Sequence, residues 1–326
     1  MCCKPDRGPL AERCTGVHGG RIASHYDVMR RAACAGALLL AIAAAGCMNP
    51  GQSTVQAFGN LGSAINSPYD DFAPVLSDSA TLLFTSNRVE SGEATLRSLN
   101  RADRPARIYF SMRLADQWDA AQPYRLLFDA PQAQSATIAP APAGSPFNIV
   151  AYVSACDRPD TLGRCDIYGI VQRESTVMVN LGKDVNSTSW EGYPFVTPDG
   201  RYLYFASDRP GGHGGSDIWV SELQATGVWG APRNLGTPVN TAGDEIAPFL
   251  DPATGTLYFA ASAGTNGFDL FTVDRNAAER RRLPSPYNSD ADDISPFVSG
   301  GTLYLSSSRP GGRGGLDLYA FPLPPR

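Results

Sequence analysis

The chain has 326 residues, of which 43% are hydrophobic and 18% are charged, and its formal net charge is −5. This balance is typical of a folded protein with its own core and excludes a disordered chain. Lysine occurs only at Lys4 and Lys183, and no stripe of arginines stands out, which argues against a nucleic-acid-binding protein. With three histidines in all, the chain offers little to histidine-based catalysis or to zinc.

A short apolar segment with a basic start occupies residues 29–46, as in a signal peptide. It is too short to cross a bilayer comfortably, because a spanning helix needs about 20 apolar residues. Small residues lie directly before Cys47, and this ending resembles the lipobox of bacterial lipoproteins. The resemblance implies that the peptide is cut before Cys47 and that this cysteine carries the lipid. A plain signal peptide with an incidental cysteine is the alternative.

The lipobox also sets the expected boundaries of the chain. Residues 1–28 precede a complete signal, so we expect them to be a non-native or removed extension, and we expect 47–54 to be a linker. Because Met48 follows the cysteine, the resemblance implies sorting to the outer membrane rather than the inner one. The sequence thus predicts a lipid-anchored protein of the bacterial cell envelope, folded over residues 55–326.

Five copies of one unit fill this folded part. Each copy contains a short strand with a proline, a turn, an apolar strand, a glycine-rich turn and a third strand, followed by a polar segment that carries a fourth. The prolines that mark the copies are Pro74, Pro140, Pro194, Pro248 and Pro296. Four short antiparallel strands repeated at about 50 residues are typical of β-propeller blades. We therefore predict an all-β fold, a five-bladed β-propeller of four-stranded antiparallel blades.

The two ends of the folded part complement each other. Residues 58–66, within the N-terminal segment 55–66, look like the outer-strand segment at 232–240, although no blade precedes them, and the last copy ends at Phe321 without such a segment. We expect this N-terminal strand to complete the fifth blade and close the ring, which removes sheet edges that favour aggregation.

The strongest motif of the repeat is SDRPGGHGGSDIW at 207–219, which returns as SSRPGGRGGLDLY at 307–319. These units resemble the WD40-like Pro-Asp (PD40) repeat of the TolB propeller and of other bacterial envelope propellers. The motif is especially similar to propellers that accompany OmpA-like peptidoglycan-binding domains. The resemblance covers about residues 55–322 and implies the fold, while it is unspecific for function. Peptidoglycan association is implied by this family alone, since the sequence has no OmpA-like segment.

Cys156 and Cys165 flank a turn-rich segment between two apolar runs. After the expected cleavage they form an even pair beside Cys47, and in an oxidising compartment a disulfide is the favoured interpretation. Two free thiols or a metal site are the alternative, although no histidine lies nearby in the sequence.

Acidic residues recur three positions before the marking proline, with Thr137 in their place in the second copy. They are Asp71, Glu191, Glu245 and Asp293. Equivalent positions of a propeller lie at equal radii, so these side chains could form a partial carboxylate ring at one channel mouth and bind a cation, a sugar or a basic partner. A structural role is the favoured alternative, in which each carboxylate pairs with the arginine after the apolar strand. Those arginines are Arg88, Arg158, Arg209 and Arg309. Catalysis by paired carboxylates, as in five-bladed glycoside hydrolases, is the least favoured.

A second acid recurs before the third strand, with Arg107 in its place in the first copy. The recurring residues are Asp166, Asp217, Asp269 and Asp317. An aspartate there most often binds the amides of the turn, and calcium is a weaker alternative. His213 lies within the glycine-rich turn and its counterpart is Arg313, so we expect an exposed tip rather than a catalytic base.

The longest interval in the repeat separates the first two copies and carries extra loop at 89–106 and 111–136. Five arginines make it locally basic, which is typical of a contact surface on a rigid ring. They are Arg97, Arg101, Arg104, Arg107 and Arg113.

Together, these features predict a non-enzymatic envelope protein that works as an interaction scaffold for a protein partner, without a cofactor. A carbohydrate-binding or other ligand-binding propeller with its site in the channel is the alternative.

Overall fold

The protein is described here from a computed structural model that places residues 59–89, 104–114, 117–124, 134–172, 174–262 and 267–325. The predicted signal peptide, Cys47 and the linker at 47–54 lie outside the described residues. The propeller belongs to one compact unit, Thr54–Arg326.

Five antiparallel sheets make up this unit and confirm the predicted five-bladed propeller. Blade 1 contains β2 (Asp71–Leu76), β3 (Thr81–Ser86), β4 (Arg107–Leu114), β5 (Gln117–Trp118) and β6 (Gln122–Pro123). Blade 2 contains β7 (Gln134–Pro140), β8 (Ile149–Cys156), β9 (Cys165–Gln172) and β10 (Thr176–Asn180). Blade 3 contains β11 (Glu191–Val196), β12 (Tyr202–Ser207), β13 (Asp217–Glu222) and β14 (Arg233–Asn234).

Blade 4 contains β15 (Glu245–Leu250), β16 (Leu257–Ser262), β17 (Phe268–Val273) and β18 (Arg281–Arg282). Blade 5 contains β19 (Asp293–Ser299), β20 (Thr302–Ser307) and β21 (Asp317–Pro322), with β1 (Gly59–Asn60) as its outer strand. In blade 1 the outer position is divided between β5 and β6, which both pair with β4. Within the described ranges, the helical structure is a single 3-10 turn, Pro146–Asn148.

The ring closes as the repeat predicts. The innermost strands contact one another in cyclic order, from β2 through β7, β11, β15 and β19 back to β2. The outer strand of the last blade comes from the other end of the chain, because Gly59 pairs with Ala320 and Asn60 with Tyr319. The chain therefore holds its first and last described strands in one sheet.

An asparagine clip reinforces this closure and recurs between other blades. The Asn66 side chain donates to the Leu318 carbonyl and accepts from the Leu318 N–H, at 3.0 and 2.8 Å. The same two-way bond joins a buried asparagine to the third strand of the preceding blade at three further junctions. Those pairs are Asn186 with Ile167, Asn240 with Ile218, and Asn288 with Leu270. Each clip satisfies main-chain groups that would otherwise be buried without partners.

Apolar residues fill the space between neighbouring blades. The middle strands are almost entirely buried, and Phe84, Phe205, Phe259 and Leu303 are fully enclosed. The glycine-rich turns approach the next blade so closely that a side chain would not fit, since a Cβ at Gly314 would overlap the Tyr69 carbonyl. Glycine at this position of the repeat is thus a packing requirement.

Candidate functional site

The innermost strands line a central channel, and four of them share an unusual backbone. In each of the four, a β-bulge falls at the marking proline, and the residue before that proline has a φ between 51° and 55°. These residues are Ala73, Tyr193, Ala247 and Ser295. Holding a non-glycine residue in this conformation costs about 1–3 kcal/mol and persists only where the surrounding structure imposes it. All four residues lie in the channel wall.

The channel contains a cavity of about 350 Å³, whose wall is apolar and differs between its two sides. Phe195, Phe249 and Phe297 follow the marking prolines of blades 3 to 5 and form one aromatic surface, with ring centroids 5.1 and 4.8 Å apart. The corresponding positions of blades 1 and 2 hold the smaller Val75 and Ala139, according to the strand register. A rigid aromatic surface therefore faces an aliphatic one across the cavity.

One end of the cavity reaches the turns that follow the innermost strands. Four residues of these turns line it there: Ser77, Pro142, Pro198 and Pro252, which we call the proline mouth. Among the lining residues that the structure describes, none is acidic or basic. Burial raises the pKa of the Tyr193 phenol in this wall to about 12, so Tyr193 is neutral at physiological pH. The cavity thus suits an uncharged, apolar group.

The four recurring acids lie elsewhere. Each is fully buried and forms an ion pair with one arginine, and none belongs to the cavity lining. The pairs and their N–O distances are Arg88 with Asp71 (2.5 Å), Arg209 with Glu191 (3.0 Å), Arg280 with Glu245 (2.9 Å) and Arg309 with Asp293 (2.6 Å). The four acids therefore lie in enclosed ion pairs, as in the structural role that the sequence favoured, and do not form the alternative ring of free carboxylates at a channel mouth.

Blade 3 shows how such a pair is held. The Ser187 amide and hydroxyl both donate to Glu191, at 3.0 and 2.6 Å, while Arg209 donates to Glu191 and to the Val185 carbonyl. The guanidinium also stacks on Trp219, 5.3 Å from the ring centre. Burial lowers the pKa of Arg209, and the neighbouring Glu191 carboxylate partly offsets this. The carboxylate is already fully occupied by these donors, so it has little left to offer a ligand.

Two blades differ from the predicted acid–arginine pairing. Arg158 stacks on Tyr168 at 5.1 Å, as its counterparts do on theirs, but its ion pair is with the half-exposed Asp160 at 3.4 Å. In blade 4 the arginine comes from the loop between the third and fourth strands, because Arg280 pairs with Glu245 and stacks on Phe271 at 4.5 Å. Sequence reasoning missed Arg280, since it lies outside the repeated motif.

The second copy is also shifted in register. In blade 3 the acid Glu191 pairs with the residue that lies opposite Asp217. In blade 2 the residue opposite Asp166 pairs with Ser135, two positions before the expected Thr137. The proline that marked this copy was therefore two residues too late, and Ser135 occupies the acid position.

The second set of acids binds its turns, as expected for three of the four. Asp217 accepts hydrogen bonds from the His213 amide at 2.5 Å and from the Asn234 side chain at 3.1 Å. Asp166 and Asp317 bind their turns in the same way. Asp269 differs, because the Nε and Nη2 atoms of Arg282 donate to its two carboxylate oxygens, at 2.7 and 2.6 Å. No three potential metal-ligating side chains cluster among the residues described.

The remaining predicted residues are placed as follows. Cys156 and Cys165 form a disulfide between paired strands, with an S–S distance of 1.95 Å. His213 lies exposed at its turn. Of the arginines predicted for a basic loop, Arg107 and Arg113 lie in strand β4 instead. Arg113 stacks on Trp118 at 5.8 Å and Arg104 on Tyr69 at 4.8 Å, whereas Arg97 and Arg101 lie outside the described residues.

Comparison with solved structures supports the same architecture. The chain is similar to an endo-arabinase from Bacteroides thetaiotaomicron VPI-5482, with 12% identity, a TM-score of 0.50, and coverage of 81% of this chain and 99% of that one. It is also similar to TolB from Acinetobacter baumannii (14% identity, TM-score 0.41) over 77% of this chain and 54% of that one, so it spans about half of TolB. RS223-β-xylosidase matches at 14% identity and a TM-score of 0.48, over 79% and 93%.

At these identities, the likeness is one of fold. No protein-family model and no curated protein matches the chain. The part of the chain that the structure describes contains no helix that could span a membrane.

Proposed function

We propose that this chain is a lipid-anchored cell-envelope protein of the PD40/TolB-like type, whose propeller binds a protein partner without catalysis. The partner inserts an uncharged, apolar element into the proline mouth. The observation that carries this proposal is the cavity wall, where prolines and three phenylalanines meet and the described lining holds no charged side chain.

The wall of the cavity is rigid, which favours the binding of a ligand. Proline has one fixed backbone angle, and an aromatic side chain has few rotamers. The protein therefore loses little conformational entropy when a ligand enters the cavity. A cavity of about 350 Å³ falls at the lower end of ordinary ligand pockets and fits one or two apolar side chains of a partner.

The alternative is a carbohydrate-active propeller, as in the endo-arabinase and xylosidase similar in fold. Glycoside hydrolysis generally needs two carboxyl groups about 5–9.5 Å apart that both face the sugar. The described cavity lining contains none, and the recurring carboxylates Asp71, Glu191, Glu245 and Asp293 are held by arginines. The geometry therefore supports the binding function better.

The envelope assignment rests on different observations. Small residues before Cys47 supply the lipidation signal, and the Cys156–Cys165 disulfide suits an oxidising compartment. We propose attachment to the outer membrane through Cys47. Mass spectrometry of the mature N-terminus tests this, and an unmodified first residue other than Cys47 would contradict it.

Site-specific photo-crosslinking tests the binding site. A benzophenone amino acid replaces the exposed Pro252 in the full chain, expressed in its native membrane. We expect an adduct with one protein, lost when Val75→Phe fills the cavity with the residue that blades 3 to 5 carry at the same register. Val228→Phe, at an exposed valine, is the matched control and should leave the adduct unchanged.

A benzophenone at His213 serves as the positional control. His213 lies in a turn between second and third strands, at the opposite end of the blade from the proline mouth, and should not give the same adduct. Persistence of the Pro252 adduct in Val75→Phe would show that the partner does not use the cavity. Hydrolysis of a polysaccharide by the purified chain would overturn the non-catalytic assignment.

A further inference from the structure

The outer strand of blade 2 differs from the outer strands of the other blades. β10 has 5 residues, whereas β6, β14 and β18, whose ends lie within the described ranges, have 2 residues each. Two of the short strands also carry arginine, at Arg233 and at Arg281–Arg282. Short length and charge are the usual protections of a sheet edge against pairing with another chain. β10, with the sequence Thr-Val-Met-Val-Asn, has neither.

The main chain of β10 offers a free edge. β10 is the terminal strand of its sheet, and the Leu181 amide donates to the Ile167 carbonyl just beyond it. Antiparallel hydrogen bonds alternate every second residue, so Val177 and Val179 bond to β9. The main-chain N–H and C=O groups of Thr176, Met178 and Asn180 then point outward, and no described residue binds them.

The side chains at this edge are apolar and exposed. Val177 and Val179 are 44% and 47% accessible and lie on the same face of the strand. Scattered exposed valines are ordinary, but two on an unprotected edge form part of a surface that another strand would bury.

The sequence of β10 is symmetrical about Met178. A polar residue lies at each end and a valine on each side of the centre. An antiparallel copy centred on Met178 therefore places Val177 opposite Val179, Met178 opposite itself, and Thr176 opposite Asn180.

From these observations we propose that β10 is a homodimer interface, in which two copies of this chain pair their β10 edges antiparallel about Met178. The pairing forms about six main-chain hydrogen bonds and buries four valine side chains on one face. It is a two-fold contact between identical surfaces, and because the other described outer strands are short, assembly stops at the dimer.

Sedimentation of the purified full chain in detergent tests the dimer. We expect the wild-type chain to sediment as a dimer, and Val179→Lys and Met178→Pro to sediment as monomers with unchanged circular dichroism. Proline is tolerated at Met178, because the N–H it removes faces outward from an edge strand. Val228→Lys, at a valine that is 49% exposed in blade 3, is the matched control and should remain dimeric.

A cysteine at the symmetry centre tests the register. Opposed residues of a hydrogen-bonded pair lie about 5.5 Å apart, within disulfide range, so Met178→Cys should cross-link to itself in membranes under oxidising conditions. Val228→Cys and the wild-type chain control for the native cysteines and should not cross-link there. A monomeric wild-type chain, dimers that persist in both β10 variants, or a Met178→Cys adduct with a different protein would each overturn the proposal. None of these results depends on the proline mouth.

Discussion

Blades 2 and 3 adjoin each other yet are held together by different means. In blade 3 the innermost strand begins with Glu191, which is bound by Ser187 and by Arg209, and Arg209 stacks on Trp219. In blade 2 the same register position is Ser135, and the disulfide of Cys156 and Cys165 joins the second and third strands instead. The comparison indicates that the recurring acid has a structural role, because blade 2, which lacks the acid, is cross-linked by a disulfide nearby.

The largest expected effect is the loss of a buried ion pair in blade 3. Arg209→Ala leaves Glu191 buried without its cation, and removing one partner of such a pair costs about 3–5 kcal/mol. Urea unfolding followed by tryptophan fluorescence measures the change. Leu162→Ala, at an exposed leucine in a turn, is the control and should be nearly neutral. A loss of stability below about 1 kcal/mol in Arg209→Ala would contradict a structural role for the Arg209–Glu191 ion pair.

Removing the disulfide of blade 2 should come next. The bridge closes a loop with a sequence separation of 9, and constraining such a loop stabilises the fold by about 2–3 kcal/mol. We expect the double variant Cys156→Ser with Cys165→Ser to lose this amount in urea unfolding. The wild-type chain should lose the same amount in dithiothreitol, while the variant should not respond. Equal stability of the reduced and oxidised wild-type chain would refute this role.

Removing the asparagine clip at the closure should lower the stability of the fold by about as much as removing the disulfide. Asn66→Ala leaves both main-chain groups of Leu318 without partners, and each unsatisfied buried group costs about 1–3 kcal/mol. Asn240→Ala removes the same bonds between blades 3 and 4 and is its comparison. Hydrogen exchange should show opening of β1 and β21 in Asn66→Ala, whereas protection of that sheet should be unchanged in Asn240→Ala.

The smallest effects should come from the corresponding arginine of blade 2 and from the turn of blade 3. Arg158 pairs with an aspartate that is half exposed, so Arg158→Ala should cost about 1 kcal/mol or less. His213→Ala, at an exposed turn, should change stability by less than about 0.5 kcal/mol. Both are measured against Arg209→Ala by the same urea unfolding, and a loss in Arg158→Ala that equals it would remove the contrast between the blades.

Much of the fold could be predicted from the sequence because the same pattern of strands and turns occurs in five copies. Five marking prolines gave the blade number, and the likeness between residues 58–66 and 232–240 gave the closure, which β1 and β21 confirm. The predicted acid–arginine pairing also describes Asp71, Glu191 and Asp293. Repetition supplied what single-strand patterns lack, namely several independent views of one unit.

The candidate site could not be predicted in the same way. A β-bulge at the marking proline breaks the alternation of side chains, so counting from the acid does not tell which way Phe195 faces. An aromatic residue directly after the proline in three copies was the available signal. Arg280 was missed because a guanidinium from another loop reaches the place that the repeat normally fills from its own motif.

The pairing of β1 with β21 has a consequence for the connectivity of the chain. Because the first and last described strands share one sheet, the ring of described blades has no structural beginning, and blade 5 is simply the blade built from two distant parts of the chain. A short linker from the end of β21 to the start of β1, with a new opening between Gly200 and the exposed Asp199, would yield a circular permutant with every described sheet intact.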